Sequence, residues 1–354
     1  MFKYKIMKAV IVILIVCLPV LLFAENQPVP PGQPASGPGG LQYKHADVRK
    51  HVYGEGIEEY WLFEPINPRP ASAPVVVFNH GWGAVNPKVY GAWIDHIVRR
   101  GNIVIYPRYQ KQWRNPPGEI TANAIKAVKD AIKRLRDGTH IRPRLNDFAI
   151  VGHSAGGQIS ANMAALALSR GLPRPKAVMC VQPGKSWNRI ARACIPLEDL
   201  RKVPAGTLLL AVTGDRDMTA RDTDSKRIIK ETVNVPLFNK NLINLVSDDH
   251  GKPALIANHF SPCAMDARYD SGEKTERQLD DDILMGSSYE SPKFEEVFMP
   301  VNALDYYGYW KLFDGLCEAA FYGKEREYAL GNTFEQKYMG KWSDDIPVQK
   351  MEVK

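Results

Sequence analysis

The chain has 354 residues, of which 45% are hydrophobic, 24% charged and 10% aromatic. These are the values of a globular protein, and they exclude a disordered, collagen-like or coiled-coil chain. The formal net charge is +7, but Lys3, Lys5 and Lys8 supply three of the 46 basic residues, and without them 43 basic residues face 39 acidic ones, a net charge of +4. So small an excess, with no basic run interleaved with aromatics, argues against a nucleic-acid partner.

The first 24 residues have the layout of a secretory signal peptide. A short basic head precedes about 16 mostly apolar residues, and Ala24 then meets polar Glu25. An uncleaved membrane anchor is the alternative, but this apolar run is shorter than the roughly 20 residues that a spanning helix needs. A lipoprotein is a further alternative, although Val16 precedes Cys17 where a small residue is expected. We expect cleavage near Ala24, export to the periplasm or the medium, and only transient membrane contact.

A Pro/Gly-rich stretch follows. Residues 26–40 read NQPVPPGQPASGPGG, in which nine of 15 residues are Pro or Gly. Such a composition buries little apolar surface, so residues 25–40 are predicted to be a tether. Residues 41–354 are then long enough to form one domain around one large core.

Four cysteines lie in the predicted domain: Cys180, Cys194, Cys263 and Cys317. None belongs to a CxxC pair, which argues against a zinc site made of cysteines. Export permits disulfides, and the preferred pairing is Cys180–Cys194 with Cys263–Cys317. Four buried thiols are the alternative.

From residue 45 onward, strand-like and helix-like stretches alternate. Two runs, 48–53 and 57–63, are predicted to form an antiparallel hairpin at one edge of a sheet. Later strands are predicted from apolar runs at 75–79, 103–106, 148–152, 177–181, 207–212 and 242–247. Helices are predicted from apolar spacing at 89–99, 121–136, 157–168 and 303–321. Continuous apolar strands are typical of sheets buried on both faces, so we predict an α/β fold with a mostly parallel twisted sheet and helices on both faces.

Residues 251–300 interrupt this alternation. They include three successive aspartates at 280–282, a pattern typical of a solvated loop. We expect this stretch to be an insertion before the last helix, either capping the functional site or forming a mobile segment.

Residues 152–156 read GHSAG and match the pattern G-x-S-x-G. The apolar strand 148–151 leads into them, and a helix rich in small residues starts at Gly157. This strand–turn–helix setting is that of a nucleophile elbow. The glycines are needed because the sharp turn brings backbone segments close together. Ser154 is therefore the predicted nucleophile.

These residues resemble those of the α/β-hydrolase fold family, and the resemblance covers most of residues 45–321. It implies a serine hydrolase with an oxyanion loop after an earlier strand. Residues 79–83, NHGWG, are similar to the H-G-x-G loop of esterases and lipases. By this resemblance, the backbone N–H groups of Trp82 and Ala155 stabilise the oxyanion, while His80 supports the loop and is not the base.

A serine hydroxyl needs a base to take its proton, and the base needs a carboxylate to orient it. The family has the chain order Ser, then Asp or Glu, then His, each after a strand. The resemblance assigns the acid to Asp217, with Asp215 as the alternative. It assigns the base to His250, just beyond the strand at 242–247. The alternative base is His259, in a segment with no predicted strand to hold it.

No metal or organic cofactor is implied by the sequence. The one local cluster of candidate ligands is Asp248, Asp249 and His250. Adjacent residues of an extended chain point to opposite faces, which disfavours a metal site there.

Trp82, Trp113 and Trp187 are candidates to approach the substrate cleft, with Trp82 and Trp187 preferred. The loop 182–187 resembles that of cutinase-like polyester hydrolases, in which a tryptophan lines the acyl cleft. The loop 79–83 and the elbow look equally like dienelactone hydrolases, platelet-activating-factor acetylhydrolases and chlorophyllases. We therefore predict an exported serine esterase for a small or polymeric carboxylic ester. An amidase or peptidase with the same triad, or a non-catalytic binding protein, is the alternative.

Overall fold

Nine strands form one sheet in a computed structural model that describes residues 27–110, 116–186, 194–272 and 300–354. In chain order they are β1 (Asp47–Tyr53), β2 (Tyr60–Ile66), β3 (Ser72–Asn79), β4 (Ile103–Pro107), β5 (Arg142–His153), β6 (Ala177–Val181), β7 (Leu208–Gly214), β8 (Lys240–Leu245) and β9 (Glu352–Val353). Their order in the sheet is β1-β2-β4-β3-β5-β6-β7-β8-β9. The six strands from β4 to β8 in that order are mutually parallel, and the β1–β2 hairpin and β9 are antiparallel additions at the two edges. The predicted α/β fold is confirmed.

Helices cover both faces of the sheet. They are α1 (Gly91–Arg99), α2 (Pro117–Arg134), α3 (Ala155–Leu166), α4 (Thr223–Glu231), α5 (Lys311–Tyr322) and the short α6 (Phe334–Lys337). A π-helical segment, Leu304–Trp310, leads into α5. Helices α1 and α5 pack on one face, and α2, α3 and α4 on the other. Among the described residues, no helix combines the length and the apolar character needed to cross a membrane.

The continuous apolar strands are explained by burial on both faces. In β2, Tyr60 and Leu62 join the core under α2 and α3, while Trp61 and Phe63 join the core under α1 and α5. This alternation follows from the two-residue period of a strand. Burial of each such side chain contributes about 1.5–3 kcal/mol, so both layers are needed to hold the central strands.

Besides the short α6, two elements were not predicted, α4 and β9. Only Asp224, Ser225 and Ile228 of α4 are buried, so the helix has almost no apolar stripe to detect. β9 has two residues, and it pairs antiparallel with β8 through Ile243 and Val353. Both elements are held by tertiary contacts that local sequence patterns do not report.

The predicted insertion is described as far as residue 272, and this part packs on the domain. Ala264 N–H donates to Val89 O at 3.0 Å, and Asp266 N–H donates to Lys88 O at 3.0 Å. The aspartates at 280–282 lie outside the described residues. Residues 251–272 are therefore a fixed part of the structure next to α1.

The expectation that residues 25–40 form a tether is wrong for residues 27–40, which pack on the domain. Gly39 N–H donates to Asp314 Oδ2 at 2.7 Å. The Arg100 guanidinium donates to Gly37 O at 2.9 Å. The segment has little apolar surface, but its backbone polar groups find charged partners on α5 and at the end of α1.

The predicted disulfides are also corrected. None of the four cysteines, all of which lie in the described ranges, is part of a disulfide. Cys180 belongs to the core under α2 and α3, whereas Cys263 and Cys317 belong to the opposite core. Burial raises the pKa of the Cys180 thiol to about 12, so this thiol stays protonated. The buried thiols act as small apolar residues.

The packing of the N-terminal segment predicts different costs for two matched substitutions. Gly37 and Gly39 both have φ +79°, but a Cβ at Gly39 would lie 1.9 Å from Tyr306 O, while one at Gly37 would meet nothing within 4 Å. Gly37→Ala should lower the free energy of unfolding by only about 1–2 kcal/mol, because alanine is strained in the left-handed backbone conformation. Gly39→Ala should cost about 1–3 kcal/mol more because of the clash. Urea unfolding of chains that begin at Glu25 measures both, and equal free energies of unfolding would contradict this packing.

Candidate active site

Ser154 stands at the carboxyl end of β5, between that strand and α3. Its backbone has φ 55° and ψ −121°, a conformation that is rare for a residue with a Cβ. Ser154 N–H donates to Val181 O at 2.9 Å, and Gly184 N–H donates to Ser154 O at 3.1 Å. The end of β6 and the loop after it therefore hold the strained turn in place.

Gly152 and Gly156 allow this turn to close. A Cβ on Gly152 would lie 2.2 Å from Gly156 O, and a Cβ on Gly156 would lie 2.1 Å from Asn79 O. Both obstacles are backbone carbonyls, which cannot move aside as a flexible side chain can. The two glycines of the pattern are thus required by the contact between β3, β5 and α3.

Asp217, His259 and Ser154 form a hydrogen-bonded line. His259 Nε2 lies 3.0 Å from Ser154 Oγ, and His259 Nδ1 lies 2.9 Å from Asp217 Oδ2. An ionised carboxylate only accepts hydrogen bonds, so Nδ1 carries the imidazole proton and Nε2 presents its lone pair to the hydroxyl. In this arrangement the imidazole is oriented to accept the serine proton.

Asp217 is buried but well supplied with donors. Its Oδ1 accepts the N–H groups of Thr219 at 2.8 Å and Ala220 at 2.9 Å. Burial pushes the pKa of Asp217 upward, but the hydrogen bond and charge of His259 and the Ala220 N–H outweigh it, and the pKa lies below its usual value. The carboxylate therefore remains ionised beside His259.

The structure does not bring His250 to Ser154, and the predicted base is corrected. His250 Nε2 lies 2.7 Å from Asp344 Oδ2, and its ring packs beside Trp342 with centroids 5.7 Å apart. The histidine that contacts the serine is His259.

The reason for this error is that the chain leaves the sheet after β8 and then returns. Asp248 and Leu255 pair through two reciprocal backbone hydrogen bonds, of 2.8 and 2.9 Å. Residues 249–254 are therefore an excursion that carries His250 away from the site, and the chain enters the site only after Leu255. The apolar run at 253–257, PALIA, is the sequence signal of that return.

Buried polar groups hold the segment of His259 in the absence of a strand. The Gln182 side-chain amide donates to Asn258 O at 2.9 Å and contacts Tyr309 Oη at 3.2 Å. Ser261 Oγ donates to Asn258 O at 2.7 Å. Buried hydrogen bonds of this kind rigidify the segment and fix the backbone position of Asn258, next to His259.

Asp215, the alternative acid, faces a different partner. Its Oδ2 accepts the Ser247 N–H at 3.0 Å, and its Oδ1 accepts the Ser247 hydroxyl at 2.5 Å. Ala257 N–H in turn donates to Ser247 Oγ at 3.0 Å. Asp215 therefore braces the chain that leads to His259, and Asp217 is the carboxylate that the histidine contacts.

The candidate ligands Asp248, Asp249 and His250 do not converge. Their side chains bind Trp342, Arg216 and Asp344 respectively. The described residues hold one group of converging metal-ligating side chains, His51, Glu64 and His140, and it lies away from Ser154.

The two predicted oxyanion donors flank Ser154. Ala155 is the first residue of α3, so its N–H has no acceptor within the helix and lies at the helix N-terminus, where negative charge is favoured. Trp82 follows Gly81, and a Cβ on Gly81 would lie 3.5 Å from Ser154 Cβ. Within the described part of the chain, neither the Trp82 N–H nor the Ala155 N–H donates a hydrogen bond.

His80 supports the oxyanion loop. Its Nδ1 lies 2.7 Å from Gly81 O, and its Nε2 lies 2.8 Å from Arg108 O. Its ring stacks on Tyr109 with centroids 4.0 Å apart. Both ring nitrogens face backbone carbonyls, so His80 is placed to shape the loop.

A second histidine, His153, links this loop to His259. Tyr90 Oη accepts the Gly81 N–H at 3.0 Å and donates to His153 Nδ1 at 2.8 Å. The ring of His153 lies 4.9 Å from that of His259. Burial, and next the neighbouring charge of His259, lowers the pKa of His153 to about 3. His153 is thus a neutral ring packed against the histidine of the triad.

Of the three tryptophans predicted at the cleft, one lies in the described part of the chain. Trp82 is half-buried in the loop after β3 and packs against the core under α2 and α3. Trp113 and Trp187 lie outside the described residues. Their contact with substrate stays a prediction.

A family model described as Chlorophyllase matches residues 62–194. The match covers less than half of the chain and contains the oxyanion loop and the elbow, but it ends before Asp217 and His259. Together with the sheet, it confirms the resemblance to the α/β-hydrolase superfamily and supports a hydrolase of the ester-cleaving type. A search of curated proteins found no match. The assignment of acid and base therefore rests on the geometry of this chain.

The neutral state of His153 predicts a loss of stability in acid. Its folded-state pKa of about 3 lies below the ordinary value of 6.5, so between these values the unfolded chain binds a proton that the folded chain does not. Stability is therefore lost as the pH falls from about 6.5 toward 3, by about 1 kcal/mol per pH unit for this group. His153→Asn removes this titration and keeps an acceptor for Tyr90. Between pH 6.5 and 4.5, the free energy of unfolding in urea should fall by about 2 kcal/mol less in the variant than in wild type. An equal fall in both proteins would show that His153 is not held neutral.

Proposed function

We propose that the chain is an exported serine hydrolase that cleaves carboxylic esters through an acyl-enzyme. The observation that carries this proposal is the line from Asp217 through His259 to Ser154 at a strained elbow. The unengaged N–H groups of Trp82 and Ala155 beside Ser154 support it, because they are placed to stabilise a tetrahedral oxyanion.

In the first half of the reaction, Ser154 Oγ attacks the ester carbonyl carbon while His259 Nε2 takes the hydroxyl proton. The carbonyl oxygen gains negative charge, which the Trp82 and Ala155 N–H groups stabilise by about 3–4 kcal/mol each in comparable sites. Asp217 stabilises the imidazolium of His259. The bond from the carbonyl carbon to the alkoxy oxygen then breaks, and His259 gives its proton to the departing alcohol.

In the second half, water replaces the alcohol. His259 removes a proton from this water as its oxygen attacks the acyl carbon, and the oxyanion forms again at the same donors. The bond to Ser154 Oγ breaks, the serine recovers its proton from His259, and the carboxylic acid leaves. All proton transfers use residues of this chain, so the cycle as proposed uses no cofactor.

The compartment and the partners are part of the same proposal. The basic head and apolar run of residues 1–24 support export and cleavage near Ala24. The proposed partner is a small or polymeric ester, and the small net charge of the remaining chain argues against a nucleic-acid partner. Membrane contact is then confined to the passage of the signal segment.

Covalent labelling tests the nucleophile. A fluorophosphonate should label wild-type protein at Ser154, and peptide mass spectrometry identifies the site. Ser154→Ala should lose the label and at least about a thousandfold in kcat/KM for p-nitrophenyl esters, as removal of a triad serine does elsewhere. The matched control is Ser169→Ala, which removes an exposed serine just after α3 and should keep both. A folded Ser154→Ala variant with activity within tenfold of wild type would refute the assignment.

The substrate class is tested by changing only the scissile bond. We expect turnover of p-nitrophenyl esters to exceed that of the matching p-nitroanilides by several orders of magnitude, over a series of acyl-chain lengths. Comparable kcat/KM for both series would support the amidase alternative. Serine labelling without turnover of either series would support a binding protein that retains the fold.

A further inference from the structure

Three side chains with metal-ligating atoms meet at the β1–β2 hairpin. His51 lies on β1, Glu64 on β2, and His140 just before β5. Glu64 Oε2 is 3.3 Å from His51 Nε2 and 2.8 Å from His140 Nδ1. The three ligand atoms all lie within 4.8 Å of one another. One carboxylate oxygen therefore faces two imidazole nitrogens from separate parts of the chain.

This group lies at the edge of the sheet opposite Ser154. Glu64 follows Phe63, which pairs with Val104 near the start of β4. His140 lies two residues before the start of β5, whereas Ser154 follows its end. The group is thus at the amino-terminal edge of the parallel strands, remote from the proposed ester chemistry.

We propose that His51, Glu64 and His140 bind one divalent transition-metal ion of the zinc type. Zinc takes imidazole nitrogen and carboxylate oxygen at about 2.0–2.2 Å, so its tetrahedral ligands are about 3.3 Å apart. The separations of 3.3 and 2.8 Å are close to this value. Two nitrogen donors disfavour calcium and magnesium, which prefer oxygen ligands.

Glu64 and His140 each use one polar atom in a hydrogen bond outside the group, and the other polar atom of each side chain faces the proposed metal position. Glu64 Oε1 accepts the Ile141 N–H at 2.6 Å, so Oε2 is the oxygen that faces both rings. Tyr53 Oη lies 3.0 Å from His140 Nε2. With Nδ1 on a metal, the single proton of this neutral ring is on Nε2 and is donated to the tyrosine oxygen, as metal-bound histidines commonly require.

His51 supplies an independent sign of a missing ligand partner. Its Nε2 is shielded from solvent, yet it makes no aligned hydrogen bond, in spite of the 3.3 Å contact with Glu64. The side chain as a whole is 30% exposed, so the group lies close to the protein surface.

The role of such an ion is structural. β1 has β2 as its one neighbour in the sheet, so this edge strand is held from one side. A metal bound by His51, Glu64 and His140 ties both hairpin strands to the start of β5. Binding to the folded chain alone raises its stability by mass action.

Zinc binding to the untagged chain from Glu25, stripped with a chelator, tests the proposal. Calorimetry should show one equivalent of Zn²⁺ bound, and Co²⁺ should give the visible absorption of a tetrahedral site. Zinc at a hundredfold excess over Kd should raise Tm by about 5 °C. Calcium should leave Tm unchanged. Ester turnover below Tm should be the same with and without zinc.

The decisive variants are His51→Ala and His250→Ala. His51 is the most exposed of the three ligands, so its removal should leave the metal-free Tm within a few degrees of wild type. It should weaken zinc binding at least tenfold and remove the cobalt spectrum. His250→Ala removes another histidine–carboxylate pair at the surface and should change neither the zinc affinity nor the cobalt spectrum. No stoichiometric zinc binding by wild type, or unchanged zinc affinity in His51→Ala, overturns the proposal.

Discussion

The hydrogen bond between His259 and Ser154 is the contact on which the rest of the site depends, and its two partners are held by different means. Ser154 is fixed by the sheet, because β5, β6 and α3 meet at its turn. His259 lies beyond the last parallel strand, 3.0 Å from the serine oxygen. Its position requires the pairing of Asp248 with Leu255 and the buried hydrogen bonds of Gln182 to Asn258 O and Tyr309. The proposed catalytic geometry therefore depends on polar contacts outside the sheet.

The proposed oxyanion loop and the proposed triad are linked by two hydrogen bonds and a ring contact. Gly81 donates to Tyr90, Tyr90 donates to His153, and the His153 ring packs against that of His259. Burial raises the pKa of Tyr90 far above its usual value, so the hydroxyl keeps its proton and remains a donor. The loop that carries Trp82 and the proposed base are therefore joined by one continuous series of contacts. The middle residue of the G-H-S sequence thus has a physical role of its own.

Much of the fold could be predicted from local patterns. Strands such as β6 are continuous apolar runs because both of their faces are buried, and Gly152 and Gly156 marked the elbow because no side chain fits there. The N-terminal segment was misjudged, since composition reports apolar surface and not the backbone hydrogen bond of Gly39 to Asp314. The disulfide prediction failed because an even number of cysteines in an exported chain permits disulfides but does not show which thiols the fold brings together.

The proposed base and the metal-ligand group could not be predicted, because both depend on contacts between residues that are distant in the sequence. His250 follows a strand directly, and local order favoured it, but the return of the chain at Leu255 is a tertiary contact. His51, Glu64 and His140 are separated by 13 and 76 positions, so no motif joins them. Only the antiparallel register of β1 with β2, and the path of the connection from α2 to β5, which carries His140 to Glu64, bring their side chains together.

The assignment of the base is tested most directly by paired kinetics of His259→Ala and His250→Ala, each with its Tm measured. Because His259 is the imidazole in contact with both Asp217 and Ser154, its removal should lower kcat by several orders of magnitude in a folded protein. His250→Ala removes a partly exposed pair with Asp344 and should keep kcat within about threefold of wild type, since His250 does not contact Ser154 and exposed pairs contribute little to stability. Loss of turnover in His250→Ala with activity retained in His259→Ala would contradict the account.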